Sequence, residues 1–185
     1  MGKLILILGG ARGGKSRAAE AMARQMGGES VLFVATASAG DEEMRQRILA
    51  HQKARPAGWR THEAGRKLAE SLAGVELPAV VLVDCITLLA ANVLLTFPED
   101  DYPQAEVSQA ILDEIEPLLA LVRASAATWI IVSNEVGMGV VPPYPSGRAY
   151  RDGLGLANQR LAAAADQVML MIAGLAWELK PVSLS

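Results

Sequence analysis

A glycine-rich segment near the start of the chain has the residue types that bind the phosphates of a nucleotide. Residues 9–16 read GGARGGKS and fit the pattern G-x-x-x-x-G-K-[ST] in full, directly after an apolar run and before a helical pattern. The glycines allow backbone angles that turn successive N–H groups toward one anion, and the following helix adds the positive end of its dipole. The predicted phosphate-binding residues are Gly9, Gly10, Ala11, Arg12, Gly13, Gly14, Lys15 and Ser16.

Two side chains of this loop have separate predicted roles. Lys15 is expected to reach the β- and γ-phosphates, and the hydroxyl of Ser16 is expected to ligate Mg²⁺. The metal needs a further carboxylate at the end of a neighbouring strand, and Asp84 directly follows the apolar run 79–83. Many buried strands end in Asp for capping alone, so that structural interpretation stays open. Glu135, after the run 129–133, is a second candidate for the metal.

The chain has two histidines, His51 and His62. His51 follows a charged helical pattern and is flanked by Lys53 and Arg55. A neutral imidazole is a competent nucleophile, and the cations would hold a triphosphate against it. The residues alone nevertheless favour a solvent-exposed side chain, and they give no role to His62. Glu63 is a candidate for binding a ligand hydroxyl, although an ordinary solvated acid is favoured by its spacing.

Composition predicts one globular domain, residues 1–185, that stays in the cytoplasm. Apolar residues make up 51% of the 185, which suits a buried sheet covered by helices. The net charge of -3 argues against a nucleic-acid partner. A single cysteine, Cys85, excludes an internal disulfide and fits a reducing compartment. The apolar run 168–177 is shorter than the ~20 residues of a membrane-spanning helix, and the run 4–8 is too short for a signal core.

Short apolar runs alternate with helical patterns along the whole chain, which predicts an α/β fold with a parallel sheet and right-handed crossovers. Strands are expected at 4–8, 31–35, 79–83, 128–133 and 167–172. Helices are expected at 15–26, 41–55, 65–72, 104–124 and 151–165. Pro117 is expected to bend or break the fourth helix. Ligands of such sheets bind beyond the carboxyl ends of the strands.

Three further segments are left open by the sequence. The loops around 97–102 and 142–150 are rich in Pro, Gly and Tyr, and they are interpreted either as mobile covers or as partner contacts; the segment 97–104 has no assigned role. The apolar segment 88–95 is either core or a subunit contact, and core is favoured.

Several longer motifs resemble those of one enzyme family, over about residues 3 to 180. The most specific are SNEVGMGVVP at 133–142 and NQRLAAAADQV at 158–168. The others are 9–17, 35–36, 43–44, 47–48, 51–56, 59–61, and 84–87 with Asn92. Together they resemble the bifunctional adenosylcobinamide kinase/adenosylcobinamide-phosphate guanylyltransferases of cobalamin biosynthesis.

The resemblance implies a P-loop NTPase-like, RecA-like three-layer fold with a mainly parallel central sheet. It also implies two reactions. In the first, adenosylcobinamide takes the γ-phosphoryl group of ATP or GTP. In the second, GTP gives its GMP moiety to the resulting adenosylcobinamide phosphate, releasing pyrophosphate and forming adenosylcobinamide-GDP.

The resemblance further implies that GMP passes through a covalent bond to His51 and that the enzyme is a homotrimer. Besides the loop 9–16, the family's nucleotide contacts correspond to Ala35, Thr36, Ala37, Gln52, Lys53, Ala54, Arg55, Glu63 and Asp84. Two departures matter: Gly13 stands where the family often has Ser, and the acid at Asp84 is Glu in some members.

Two other functions remain as alternatives. A simple P-loop kinase of a small molecule would leave His51 inert, and it would phosphorylate without releasing pyrophosphate. A nucleotide-dependent switch or assembly protein would need two nucleotide-controlled loops with partner surfaces. No sequence feature requires such loops.

Overall fold

The computed structural model describes residues 2–37, 56–99 and 101–180, and within them one seven-stranded sheet. The strand order across the sheet is β3-β2-β4-β5-β1-β6-β7. Strands β1 to β6 run parallel to their neighbours, and β7 pairs antiparallel with β6. The strands are β1 Lys3–Gly9, β2 Val31–Ala35, β3 Arg60–Glu63, β4 Val80–Asp84, β5 Thr128–Val132, β6 Gln167–Ile172 and β7 Leu175–Lys180.

The helices lie on both faces of the sheet. They are α1 Lys15–Gly27, α2 Leu68–Ser71, α3 Ile86–Leu94, α4 Gln104–Ala124 and α5 Pro145–Ala164. Alternate residues of each strand face opposite layers. Leu4, Leu6 and Leu8 therefore pack in one core with α2, α3, α4 and α5, whereas Ile5 and Ile7 pack in a second core with α1.

The five strands predicted from apolar runs are confirmed to within one residue at each end. They are legible because a parallel strand covered on both faces is apolar throughout. Two further strands lie at the edges of the sheet, β3 and β7, and the sequence analysis did not predict them. All six residues of β7 are exposed, and β3 is the polar segment RTHE, so neither has a buried apolar run.

Two of the helix predictions are confirmed, and the others within the described residues need correction. The helices at 15–26 and 104–124 are present, and Pro117 does not break the second of them. The predicted helix 65–72 is shorter, Leu68–Ser71, and α5 begins at Pro145 rather than at residue 151. Helix α3 was not predicted, because its continuous apolar run lacks a polar face. The predicted helix 41–55 lies outside the described residues.

Helix α3 also decides the question about the segment 88–95. Leu89, Ala90 and Val93 are buried in the core, whereas Leu95, just past the helix, is 78% exposed. Most of this segment is therefore core, as the sequence favoured.

The parallel register places several predicted site residues in one row across the carboxyl end of the sheet. Glu63 of β3 is opposite Ala35 of β2, and Ala35 is in turn opposite Asp84 of β4. Asp84 is opposite Val132 of β5, which pairs with Ile7 of β1. Neighbouring strands lie about 4.8 Å apart, so Asp84 and the end of β1 are separated by about 10 Å.

Candidate active site

The glycine-rich loop 9–16 joins the end of β1 to the start of α1, as the sequence predicted. Gly9 has φ 150, and a Cβ built there would lie 2.4 Å from the carbonyl oxygen of Met171 in β6. Gly14 has φ 94 and is the residue before α1, which begins at Lys15 without a side-chain cap. The first N–H groups of α1 therefore face the loop, as an anion site at a helix N-terminus requires.

Further hydrogen bonds fix the shape of this loop from inside and outside. The N–H of Gly13 donates to the carbonyl of Gly10 at 3.2 Å, which closes the turn. The N–H of Gly174, in the turn between β6 and β7, donates to the carbonyl of Gly13 at 3.1 Å. The N–H of Glu135, after β5, donates to the carbonyl of Gly9 at 3.1 Å. The loop is thus held by the strands on both sides of β1.

Lys15 is buried, with 7% of its surface exposed, and its ammonium group remains within the loop. Its Nζ donates to the carbonyl oxygen of Gly10 at 2.8 Å. Burial lowers the pKa of Lys15, while Cys85 and Asp84, when ionised, oppose that shift. A cation with so little water around it gains strongly from an anionic ligand, because nearby charges interact more strongly where the effective dielectric is low.

The two predicted metal ligands belong to the ends of two different strands. Ser16 is in the first turn of α1, after β1, and Asp84 is the last residue of β4. Strand β5 lies between β1 and β4, so the ends of the two strands are separated by about 10 Å. Hydroxyl and carboxylate oxygens are hard donors that suit Mg²⁺, which takes its remaining ligands from phosphates and water. The donor set therefore fits Mg²⁺.

Glu135, the second metal candidate, uses its carboxylate within its own loop. Its Oε1 accepts a hydrogen bond from the N–H of Gly137 at 2.6 Å. Asp84 makes no such turn, and its strand ends in the same row as Ala35. Asp84 is thus the better placed of the two candidates. Among the residues that the structure describes, no group of three or more His, Cys, Asp and Glu side chains is arranged to hold a metal.

Thr36 joins the ends of β2 and β4. Its Oγ1 donates to the carbonyl of Cys85 at 2.6 Å and accepts from the N–H of Cys85 at 2.8 Å. The Nδ2 of Asn92 on α3 donates to the carbonyls of Thr36 and Gly65 at 2.9 and 2.8 Å. Thr36 is fully buried, so its side chain stabilises the loop instead of facing a ligand, while Ala37 is half-buried beside it.

The Cys85 thiol lies close to the charged groups of the site. Burial raises its pKa, and Asp84 adds to that shift, so the group is a neutral thiol at neutral pH. Glu63 is exposed at the end of β3, four strands from β1, or about 19 Å by strand spacing. Glu63 is thus too far from the loop to contact the phosphates that it binds.

Of the remaining predicted residues, His62 is described by the structure, whereas residues 51–55 are not. His62 is half-buried, and its Nε2 lies 3.1 Å from the Oγ of Ser71. His51, Gln52, Lys53, Ala54 and Arg55 lie outside the described residues.

A polar network that the sequence analysis did not predict holds the segment after β5. The N–H of Asn134 donates to Thr87 Oγ1 at 2.8 Å, and the carbonyl of Asn134 accepts from Asn158 Nδ2 at 2.9 Å. The hydroxyl of Tyr150 donates to the carbonyl of Thr87 at 3.1 Å, and burial raises the pKa of Tyr150 to about 12. Helices α3 and α5 thereby position Glu135 against the phosphate loop.

Asn134 and Asn158 both belong to the long motifs noted in the sequence, which was the only signal for this network. The contacts themselves join residues far apart in the chain, and no local pattern predicts them. As a separate observation, none of the helices in the described ranges is long and apolar enough to cross a membrane.

Comparison with known proteins finds relatives over nearly the whole chain. Residues 5–179 match the CobU family model, which is described as cobinamide kinase / cobinamide phosphate guanyltransferase. The bifunctional adenosylcobalamin biosynthesis protein CobU of Salmonella typhimurium is 41% identical over 182 residues, covering 96% of this chain and 99% of the relative. CobU of Escherichia coli is 40% identical over 183 residues, with 96% and 99% covered. CobP of Pseudomonas aeruginosa is 43% identical over 176 residues, with 95% and 96% covered.

Proposed function

Because the chain belongs to the cobinamide kinase / cobinamide phosphate guanyltransferase family, we propose that it converts adenosylcobinamide to adenosylcobinamide-GDP in two steps. The family has kinase and guanylyltransferase activity and acts in adenosylcobalamin biosynthesis. In the first proposed step, ATP or GTP phosphorylates the hydroxyl of the aminopropanol arm. In the second, GTP transfers GMP to the new phosphate. The observation that carries the proposal is the complete phosphate loop at the end of β1, within the residues that match the family.

The kinase step uses the geometry of that loop. The N–H groups of residues 9–16 and the start of α1 bind the triphosphate, and Lys15 leaves the carbonyl of Gly10 for the β- and γ-phosphates. The substrate hydroxyl attacks the γ-phosphorus and loses its proton, a P–O bond forms, and the bond to the β–γ bridging oxygen breaks to release the nucleoside diphosphate. Ser16 and Asp84 would hold Mg²⁺, which supplies positive charge to the phosphate oxygens when it is bound. The position of Asp84, at the end of the second strand from β1, supports this role.

The guanylyl step is proposed to use His51. Its imidazole nitrogen attacks the α-phosphorus of GTP, an N–P bond forms, the bond to the α–β bridging oxygen breaks, and pyrophosphate leaves. A phosphate oxygen of adenosylcobinamide phosphate then attacks the same phosphorus, and the N–P bond breaks to regenerate His51. Splitting the transfer in this way requires only a positioned nucleophile and leaving group at each displacement.

The remaining nucleotide contacts are proposed from the family motif. They are Ala35, the backbone of Thr36, and Ala37 at the end of β2, Gln52 to Arg55 next to His51 in the sequence, and Glu63 at the end of β3. Glu63 lies about 19 Å from the phosphate loop by strand spacing. This distance supports a contact of Glu63 with the nucleoside of the nucleotide and not with its phosphates. We also propose that the chain is a single domain, that the enzyme is a homotrimer, and that it acts in the cytoplasm.

The test is to separate the two half-reactions with labelled GTP. Wild-type enzyme incubated with α-labelled GTP is expected to take up acid-labile, base-stable label and to release pyrophosphate. The His51→Ala variant is expected to take up none, yet to phosphorylate adenosylcobinamide with γ-labelled nucleotide. The matched control is His62→Ala, which removes the other histidine and should label like the wild type.

Two outcomes would contradict the proposal in different ways. If the wild type phosphorylates adenosylcobinamide but takes up no label from α-labelled GTP, the protein is a simple kinase without the guanylyltransferase step. Nucleotide hydrolysis that adenosylcobinamide does not affect, with no phosphorylated product, would overturn both halves.

A further inference from the structure

A second cavity lies beside the phosphate loop, between the segment after β5 and helix α5. Its volume is about 810 Å³, against about 240 Å³ for the space lined by residues 12–17 of the loop itself. A volume of this size is typical of a small-molecule site. Its lining includes Leu8, Glu135, Val141, Gly155, Leu156 and Asn158.

The cavity is connected directly to the phosphate loop. Leu8, which lines it, is the residue before Gly9, and the N–H of Glu135, also in the lining, donates to the carbonyl of Gly9 at 3.1 Å. A molecule in this cavity therefore lies next to the end of β1, where the triphosphate is bound. A phosphoryl acceptor has to bind beside the triphosphate, because the reacting atoms must approach to within about 3.5 Å.

The charges of the described lining disfavour a second nucleoside triphosphate. Among the lining residues that the structure describes, Glu135 and Asp152 contribute two carboxylates, and the one cation, Arg151, donates its Nε to Asp152 at 3.3 Å. This part of the lining is thus acidic on balance, which opposes the approach of a highly charged triphosphate. A neutral or cationic ligand fits these charges.

The polar and apolar groups of the lining further restrict the class of ligand that fits the cavity. Asn158 is 5% exposed, and its Oδ1 has no hydrogen-bond partner among the residues that the structure describes. A buried acceptor without a partner is costly, so it favours a ligand that brings an N–H or O–H donor. Leu156 and Val141 are 40% and 56% exposed and add apolar surface to the same cavity.

We infer that this cavity is the acceptor subsite, in which the aminopropanol arm of adenosylcobinamide and the neighbouring amide side chains of its macrocycle bind. The inference rests on the proposed function and assigns a location to its substrate. The amide side chains around the macrocycle are uncharged and carry N–H donors, which suit the unpaired Oδ1 of Asn158. The faces of the macrocycle are apolar, which suits the exposed side chains of Leu156 and Val141.

Gly155 allows the subsite to be filled without disturbing the core. It lies within α5, and a Cβ built there meets none of the described atoms within 4 Å outside the helix's own nearby backbone. Gly155→Phe therefore places a ring into the cavity, and Gly155→Ala tests a single methyl. Ala120→Phe, on an exposed position of α4 that does not line the cavity, is the matched control for adding a surface aromatic residue.

The experiment measures steady-state phosphorylation of adenosylcobinamide by each variant, with nucleotide binding as a second readout. Gly155→Phe is expected to raise the KM for adenosylcobinamide by about tenfold or more, with the nucleotide Kd unchanged. Gly155→Ala is expected to give a smaller increase, and Ala120→Phe none. If Gly155→Phe fails to fold, Leu156→Arg replaces it, because a side chain that is 40% exposed can be changed without filling the core.

The results distinguish the two proposals. An unchanged KM for adenosylcobinamide in folded Gly155→Phe and Leu156→Arg, with normal turnover in the wild type, would overturn the subsite and leave the proposed function intact. Failure of the wild type to bind or phosphorylate adenosylcobinamide would overturn the function itself.

Discussion

In the protein without nucleotide, burial of the Lys15 side chain makes its charged form less favourable than in water. Its pKa in the folded state is lower than the usual 10.5 because the ammonium group is buried. Between the two pKa values the unfolded chain binds more protons, so the free energy of unfolding rises with pH through that window. The stability lost by burying this charge is a property of the empty loop, and an anionic ligand compensates for it.

We therefore predict that Lys15→Met is at least as stable as the wild type without nucleotide and does not respond to nucleotide. Urea unfolding at pH 7 should give an equal or higher free energy of unfolding for the variant. The rise in stability of the wild type toward pH 10.5 should be reduced in the variant. Addition of GTP should raise the Tm of the wild type but not that of Lys15→Met.

Arg123→Met, which removes an exposed cation at the end of α4, is the control for loss of a positive charge. A nucleotide-induced rise in Tm that survives in Lys15→Met would remove Lys15 from the predicted phosphate contacts.

Tyr150 contributes to the site through another residue's backbone. Its hydroxyl donates to the carbonyl of Thr87, whose Oγ1 in turn accepts from the N–H of Asn134. Tyr150→Phe is expected to lower the free energy of unfolding by about 0.5–1.5 kcal/mol at pH 7. The folded pKa of about 12 lies above the usual 10.0, so this group's stability is present below pH 10 and is lost as pH rises to 12.

The phenylalanine variant should lack that alkaline loss, and denaturant titrations at pH 7, 10 and 11 measure it. Tyr144→Phe is the matched control, because Tyr144 is 59% exposed. Equal alkaline profiles for wild type and Tyr150→Phe would contradict the assignment.

At the scale of secondary-structure elements, the turn from β1 into α1 depends on β6. Gly9 has no side chain, and the loop passes close to the carbonyl oxygen of Met171 at this point. The Cβ of an alanine at position 9 would lie only 2.4 Å from that oxygen. Gly9→Ala is therefore expected to destabilise the protein by more than about 1 kcal/mol and to weaken nucleotide binding.

Gly155 lies in open space within α5, and Gly155→Ala should instead be more stable than the wild type by about 0.4–1 kcal/mol. Thermal unfolding of both variants checks this, and a stable Gly9→Ala would show that the strands shift to accept the methyl group.

The elements also show where sequence reasoning succeeds. The core strands were predicted because burial on both faces makes them apolar throughout, and the loop 9–16 because its chemistry is local. Strand β3 was not predicted because edge position leaves its side chains polar. Helix α3 was not predicted because its residues are apolar nearly throughout, so the run shows no helical alternation of apolar and polar side chains.

The candidate site divides in the same way. The loop, Lys15, Ser16 and Asp84 belong to short patterns, and the structure places them together at the carboxyl end of the sheet. The contacts of Asn92 with Thr36, and of Tyr150 with Thr87, span 56 and 63 residues. Such contacts depend on how helices pack on the sheet, which no window of sequence contains.

At the scale of the whole molecule, the family resemblance leads us to predict a homotrimer. Native mass spectrometry of the wild type is expected to give about three times the chain mass of 19.5 kDa. Because association follows mass action, dilution should lower the Tm of a trimer whose subunits stabilise one another. A mass of one chain at all concentrations would contradict the prediction.

The central position of β1 has a consequence for amide hydrogen exchange. This strand is hydrogen-bonded to β5 on one side and β6 on the other, while β3 and β7 occupy the edges. Fraying begins at edges, so the amides of residues 4–8 should exchange with solvent only when the whole domain opens. The base of the phosphate loop would then remain formed in every partly opened state. The slowing of exchange at these amides on adding nucleotide would give the binding free energy directly, without any catalytic assay.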